Sequence, residues 1–170
     1  IFALSTCYGK SGIAVIRVSG PEALRCAKDF AIKKELLPRM ATFSEIRDAV
    51  TGEFIDEIIA IYFPKEASYT SQDLIELQVH GSIAIINKLL HQLDGLPYMR
   101  LAHNGEFTRL ALINGRISLS KAEGLVGVMN AETELQRQVA AKSFNGDNER
   151  IFAALKESII KTLANAEAFI

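Results

Sequence analysis

Through the first two-thirds of the chain, apolar residues recur with a period of two in some stretches and 3.6 in others, which predicts mixed strand and helix structure. Phe2 to Cys7 and Ile13 to Val18 read as short strands joined by the turn-rich loop Tyr8-Gly9-Lys10-Ser11-Gly12. Gly20-Pro21 opens a helix, since proline's missing N–H is no loss in the first turn, and Leu24, Ala27 and Ala31 fall on one face of it, with Pro38 beyond its end. Ala41 to Ile46 and Phe54 to Phe63 are the next strands, reversed at Thr51-Gly52; the second is apolar on both faces, as an inner strand should be. In Asp73 to His80, Leu74, Glu76, Gln78 and His80 share one face, and Ile75, Leu77 and Val79 the other. Ser82 caps a helix to about Leu93 with the stripe Ile83, Ile86, Leu90 and Leu93. Tyr98 to Ala102 reads as a short strand, and Glu106 to Ile113 as a short helix closed by Asn114-Gly115.

After Arg116 the texture changes to three successive helical segments without proline. Domains are therefore expected at 1–115 and 116–170. Ser120-Lys121-Ala122-Glu123 matches a capping box, Thr133-Glu134-Leu135-Gln136 repeats the device, and Gly146-Asp147 ends one helix and caps the next. Ile151, Leu155, Ile159 and Leu163 then recur every four residues, an apolar stripe that needs a partner from another chain or a downstream segment. The chain starts at Ile1 without Met and stops at Ile170 in mid-pattern, so the expectation is part of a longer protein.

Composition narrows the class. With 49% hydrophobic and 23% charged residues the chain lies outside the disordered regime, so a packed core is expected. Nineteen Lys and Arg balance twenty Asp and Glu, which leaves no overall footprint for wrapping nucleic acid. Cys7 and Cys26 lack any disulfide or zinc spacing, and no apolar run approaches the roughly 20 residues of a membrane span. A cytoplasmic setting, no membrane and no metal site are expected.

Few residues carry chemistry. Gly9-Lys10-Ser11 imitates the end of a P-loop, but the glycine required five residues earlier is Leu4, and a strand follows instead of a helix. Arg17 is charged within the apolar strand Ile13 to Val18: either a strand-end arginine reaching solvent or an anion clamp. Glu76 sits mid-strand between Ile75 and Leu77, where glutamate is disfavoured unless paired. Its carboxylate suits an amidine-like edge, which pterins, guanines and arginines all present, with a plain exposed-face glutamate as the alternative. His80 reads as an acid or base or, more plainly, as a structural histidine; His91 and His103 lack partners at metal spacing, and Asp73 is read as a strand-entry or turn residue. Alone, Arg116 would be a surface charge.

The blocks together are more specific. Gly12-Ile-Ala-Val-Ile-Arg-Val-Ser-Gly-Pro21, Asp73-Leu-Ile-Glu-Leu-Gln-Val-His-Gly81, Gly105-Glu-Phe-Thr-Arg109, Leu112-Ile-Asn-Gly-Arg116, Ala122-Glu-Gly124 and Asn130-Ala-Glu-Thr133 occur in one order. Over essentially the whole chain this resembles the N-terminal part of the MnmE/TrmE tRNA-modification GTPases. The resemblance implies an α+β, mixed α/β N-terminal domain related to folate-binding aminomethyltransferases, a mixed sheet with helices, followed by an all-α segment. It implies a homodimer binding a tetrahydrofolate derivative, 5-formyl or 5,10-methylene, through Arg17, Glu76 and Arg116. It also implies a GTPase domain outside this chain that uses GTP, potassium and magnesium, and an MnmG/GidA-type flavoprotein partner. The full complex would modify C5 of the wobble uridine of certain tRNAs, with no catalytic residue in this part.

Three positions depart from the family pattern. Its Pro-Gly-Arg-Gly-Gly turn is here Tyr8-Gly9-Lys10-Ser11-Gly12, its Pro-Gly-Glu-Phe is Asn104-Gly105-Glu106-Phe107, and its lysine after Asn-Gly is Arg116, which keeps charge but changes shape. Two rival expectations stand beside the family reading: a free-standing folate-dependent one-carbon transferase, and a non-catalytic dimer scaffold.

Overall fold

In the computed structural model, which describes every residue except Ala31, Lys33, Lys34, Phe169 and Ile170, the chain divides into two compact units, Ile1–Arg116 and Ile117–Ile170. Ala31, expected on a helix face, lies outside the described residues. Unit one contains β1 (Phe2–Leu4), β2 (Ser11–Ser19), α1 (Ala23–Asp29), β3 (Ala41–Arg47), β4 (Phe54–Phe63), β5 (Leu74–Gly81), α2 (Ile83–Asp94) and α3 (Glu106–Ile113). The strands form one sheet in the order β1-β2-β5-β4-β3, every pairing within it antiparallel. Two isolated bridges, Phe2 with Leu101 and Pro38 with Tyr62, are parallel. An α+β domain followed by helices is thus what the chain builds.

Alternation decides the faces. Ala14, Ile16 and Val18 of β2, Ile58 and Ala60 of β4, and Ile75, Leu77 and Val79 of β5 are buried in one cluster with Ala27 of α1 and Ile86, Leu89 and Leu93 of α2. Each fully buried Ile or Leu contributes roughly 2 kcal/mol on leaving water, so this layer holds most of the unit's stability. β4 is an inner strand but only one of its faces is covered: Ile59 is exposed on the other, beside exposed Phe43 and Ile13.

Several local expectations change. β1 stops at Leu4, because beyond it Thr6 accepts from the Val15 amide with its hydroxyl, a side chain replacing the ladder carbonyl. α1 starts at Ala23, with Pro21 and Glu22 in the preceding turn. Ser82 occupies the N-cap position of α2 without a side-chain cap bond. Tyr98 to Ala102 is not a strand: a turn leads into the bridge at Leu101, fastened by Phe2 N–H to Arg100 O (3.0 Å) and Ala102 N–H to Phe2 O (2.8 Å).

The second unit contains α4 (Leu119–Met129), α5 (Glu134–Phe144) and α6 (Asp147–Glu167). Ser118, not Ser120, caps α4 by accepting from Lys121 N. Thr133 and Gln136 form the expected capping box of α5. Gly124 is where α4 meets α5: a Cβ there would lie 2.4 Å from the Phe144 backbone nitrogen. α6 leaves Ile151, Phe152, Leu155, Ile159 and Leu163 exposed.

Gly81, at the end of β5, is equally constrained, since a Cβ would stand 2.1 Å from Ser11 Oγ and 2.4 Å from Ser11 O. Gly81→Ala should lower stability by about 1–3 kcal/mol as overpacking against backbone, whereas Gly12→Ala, with open space around the new methyl group, should change it by no more than about 0.5 kcal/mol. Urea denaturation of the two variants checks this; equal midpoints would contradict the close approach.

Candidate functional site

The sheet face opposite the apolar cluster carries the polar residues of β2 and β5. Cross-strand register sets Arg17 directly opposite Glu76, with Ile61 of β4 on the other side of Glu76. The Arg17 guanidinium donates from Nε (3.0 Å) and Nη2 (2.6 Å) to the same oxygen, Glu76 Oε1. The two side chains are 26% and 20% exposed, so the pair is neither a solvated surface contact nor sealed in the core. A mid-strand glutamate thus finds its partner one strand away, and Arg17 is not a strand-end arginine reaching water.

Two aromatic rings lie near the guanidinium. Its carbon lies 5.5 Å from the Phe107 centroid and 6.0 Å from that of Tyr69, within the range of cation–π attraction. Phe107 comes from the first turn of α3 and Tyr69 from the loop entering β5. Tyr69 donates its hydroxyl to Thr108 Oγ1 (3.0 Å), tying loop to helix. Next to it, the buried hydroxyls of Thr70 and Ser19 bond at 2.6 Å, and Thr70 O accepts from Asn114 Nδ2 (2.7 Å). The far end of the loop is braced by Asp73, which accepts from Tyr62 OH (2.9 Å) and Lys65 N (3.1 Å), a turn role as expected. Burial and this bond push the Tyr62 phenol up to about 12.

Arg116 stands apart. It is exposed, one residue past Gly115, whose φ of 69° makes the left-handed turn, and its N–H donates to Ala111 O (2.8 Å). The structure therefore brings Arg17 and Glu76 together and leaves Arg116 exposed on a turn that Asn114 fastens to the Tyr69–Thr70 loop.

His80 and Cys26 have structural surroundings. His80 Nδ1 lies 2.7 Å from Asp56 Oδ1, and Asp56 also accepts from the His80 and Glu57 amides, so this buried carboxylate clamps the end of β5 to β4. Cys26 is buried, and burial pushes its thiol up to about 12, far from a reactive thiolate. Among the described residues no cluster of three potential metal ligands occurs, and no helix is long and apolar enough to cross a membrane. Sequence reasoning missed Tyr69, Thr70 and Phe107. Their available signals were an aromatic residue inside the polar stretch Ser68-Tyr69-Thr70-Ser71-Gln72 and another immediately after a helix-opening Gly105-Glu106.

Comparison with known proteins adds independent findings. The family described as GTP-binding protein TrmE N-terminus matches residues 1–116. Over 170 residues the chain is 44% identical to the tRNA modification GTPase MnmE of Wolbachia sp. subsp. Drosophila simulans (strain wRi), covering 100% of this chain and 38% of that protein. The MnmE of Pelagibacter ubique (strain HTCC1062) is 44% identical over 99% of the chain, and that of Ehrlichia ruminantium (strain Gardel) 41% over 100%; each is covered over 38% of its length. The chain thus spans well under half the length of these relatives.

Glu106 opens the helix that carries Phe107. Its carboxylate accepts from Arg100 (2.9 and 2.5 Å) and from the His103 amide (2.8 Å), which hold it down at about 2. An unfolded glutamate titrates near about 4.3. The depressed folded value therefore stabilises the protein fully above that pH, and the contribution disappears as pH falls toward 2. Glu106→Gln should unfold at lower urea than wild type at pH 7, with the gap closing between about pH 4.5 and 2. A gap that stays constant over that window would contradict the assignment.

Proposed function

The chain belongs to the TrmE N-terminal family, and from that premise we propose that it is the folate-binding and dimerising portion of a tRNA-modification GTPase. The observation that carries the ligand reading is the forked contact of Glu76 Oε1 with a planar guanidinium that lies within cation–π range of two aromatic rings. A pterin presents the same kind of edge, an amino group beside a ring N–H, so the residues fit a tetrahydrofolate derivative, 5-formyl or 5,10-methylene. Glu76 would hold that edge through charge-assisted hydrogen bonds. Arg17 and Arg116 would meet carbonyl or carboxylate oxygens of the ligand, and the Thr70–Asn114 bond supports Arg116 lying on the same side as Arg17.

The unit Ile1–Arg116 would also carry the homodimer contact, for which exposed Ile13, Phe43 and Ile59 on the uncovered sheet face offer apolar surface. GTP hydrolysis, with its potassium and magnesium, belongs in this reading to a domain outside these 170 residues. Gly9-Lys10 leads into β2, which starts at Ser11, instead of a helix N-terminus, so this segment offers no phosphate cradle. The exposed stripe of α6 suits a helical domain completed by further chain. The whole protein, with an MnmG/GidA-type flavoprotein, would transfer a one-carbon unit to C5 of the wobble uridine of its tRNAs in the cytoplasm. Alone, this chain would neither hydrolyse GTP nor modify tRNA.

One observation favours the rival reading as a dimer scaffold without ligand: Arg17 and Glu76 already satisfy each other. Isothermal titration with 5-formyltetrahydrofolate separates the two. The folate reading expects saturable binding that weakens at least about tenfold in Glu76→Ala and Arg17→Ala, the magnitude of a lost charged hydrogen bond. No binding by the wild type would favour the scaffold, and unchanged affinity in both variants would remove the site from Glu76 and Arg17.

A further inference from the structure

Resting on the folate reading of this site, we propose that Tyr69 and Phe107 are its specificity-determining walls, and that the flat head of the ligand enters the slot now filled by the Arg17 guanidinium. Three observations carry this. What Glu76 holds is itself a planar, two-pronged N–H donor, at 3.0 and 2.6 Å. An arginine head and a 2-amino-pyrimidinone ring show a carboxylate the same forked edge, so the internal cation occupies the ligand's place as a stand-in.

The second observation is the pair of rings beside that cation, at 5.5 and 6.0 Å. Aromatic faces attract a guanidinium through their quadrupole and stack against a heteroaromatic ring by dispersion. The same walls therefore serve the empty and the filled site. They select for flatness, which the carboxylate alone does not.

The third is that the walls are fixed independently of the ligand. Tyr69 is locked to α3 through Thr108, and its neighbour Thr70 to β2 through Ser19 and to the α3 C-terminus through Asn114. Walls held in advance lose little freedom on binding. Binding then exchanges one planar donor for another on Glu76 and releases Arg17 toward the ligand's oxygens.

The test is titration of 5-formyltetrahydrofolate into the protein and into Phe107→Leu, Tyr69→Leu, Phe107→Tyr and Tyr69→Phe, each with its thermal midpoint measured. Both leucine variants should bind roughly tenfold or more weakly, the range of a lost aromatic stack. Phe107→Tyr should stay within about threefold of wild type, because flatness is kept, while Tyr69→Phe keeps the ring but loses the Thr108 bond and should fall between wild type and Tyr69→Leu. Wild-type affinity in a folded leucine variant would overturn the wall assignment while leaving the folate reading intact. Failure of the wild-type protein to bind would overturn both.

Discussion

The register of β2 against β5 sets Arg17 opposite Glu76 and, by the same alternation, turns Ile16 and Val18 of one strand and Ile75, Leu77 and Val79 of the other toward the core. These two outcomes cannot be separated. Because the side-chain period of a strand is two, a slip of one residue would drive both charges beneath α1 and α2 and bring the core residues to the surface. The polar pair is cheap to hold where it lies, half-shielded and mutually hydrogen-bonded, and would be costly anywhere inside. Hydrophobic burial thus fixes the geometry of the charged pair, and the close approach of Gly81 to Ser11 pins the far end of the same two strands.

From that pair outward, the site is assembled from pieces that also hold the fold. Thr70 is a hub: its hydroxyl meets Ser19 of β2 and its carbonyl meets Asn114 after α3. The aromatic rings over Arg17 are consequently anchored by the same bonds that close the loop onto the sheet. Glu106, bound to Arg100 and to the His103 amide, fixes the start of α3 and with it the position of Phe107. A substitution in this shell would act on the proposed ligand through the placement of rings and not through any contact of its own.

Local features were legible in the sequence where the cause is local. Strand alternation, the stripe of α2, the Thr133 box and the left-handed Gly115 each follow from a few neighbouring residues. The mid-strand Glu76 announced that it needed a partner, and the isolated charge of Arg17 announced a role, but their pairing spans 59 positions and depends on β5 inserting between β2 and β4. No period within either strand encodes that insertion. Tyr69 and Phe107 escaped for the same reason, as each looks like an ordinary loop or helix aromatic until the sheet brings Arg17 near both. The Tyr98 to Ala102 stretch failed differently: its apolar pattern is real, but only Leu101 finds a β1 partner, so a single bridge forms in place of a strand. Ser118 prevailed over Ser120 as cap because its hydroxyl reaches the Lys121 amide from an extended backbone.

In the proposed folate site the Arg17–Glu76 pair is the ligand's seat, occupied by the protein's own guanidinium until the ligand replaces it. Arginine side-chain Nε–H NMR reads this directly. The free protein should show a slowly exchanging Arg17 signal, absent in Glu76→Gln, that shifts or broadens when 5-formyltetrahydrofolate saturates the site. An Arg17 signal unmoved by saturating, bound folate would contradict it.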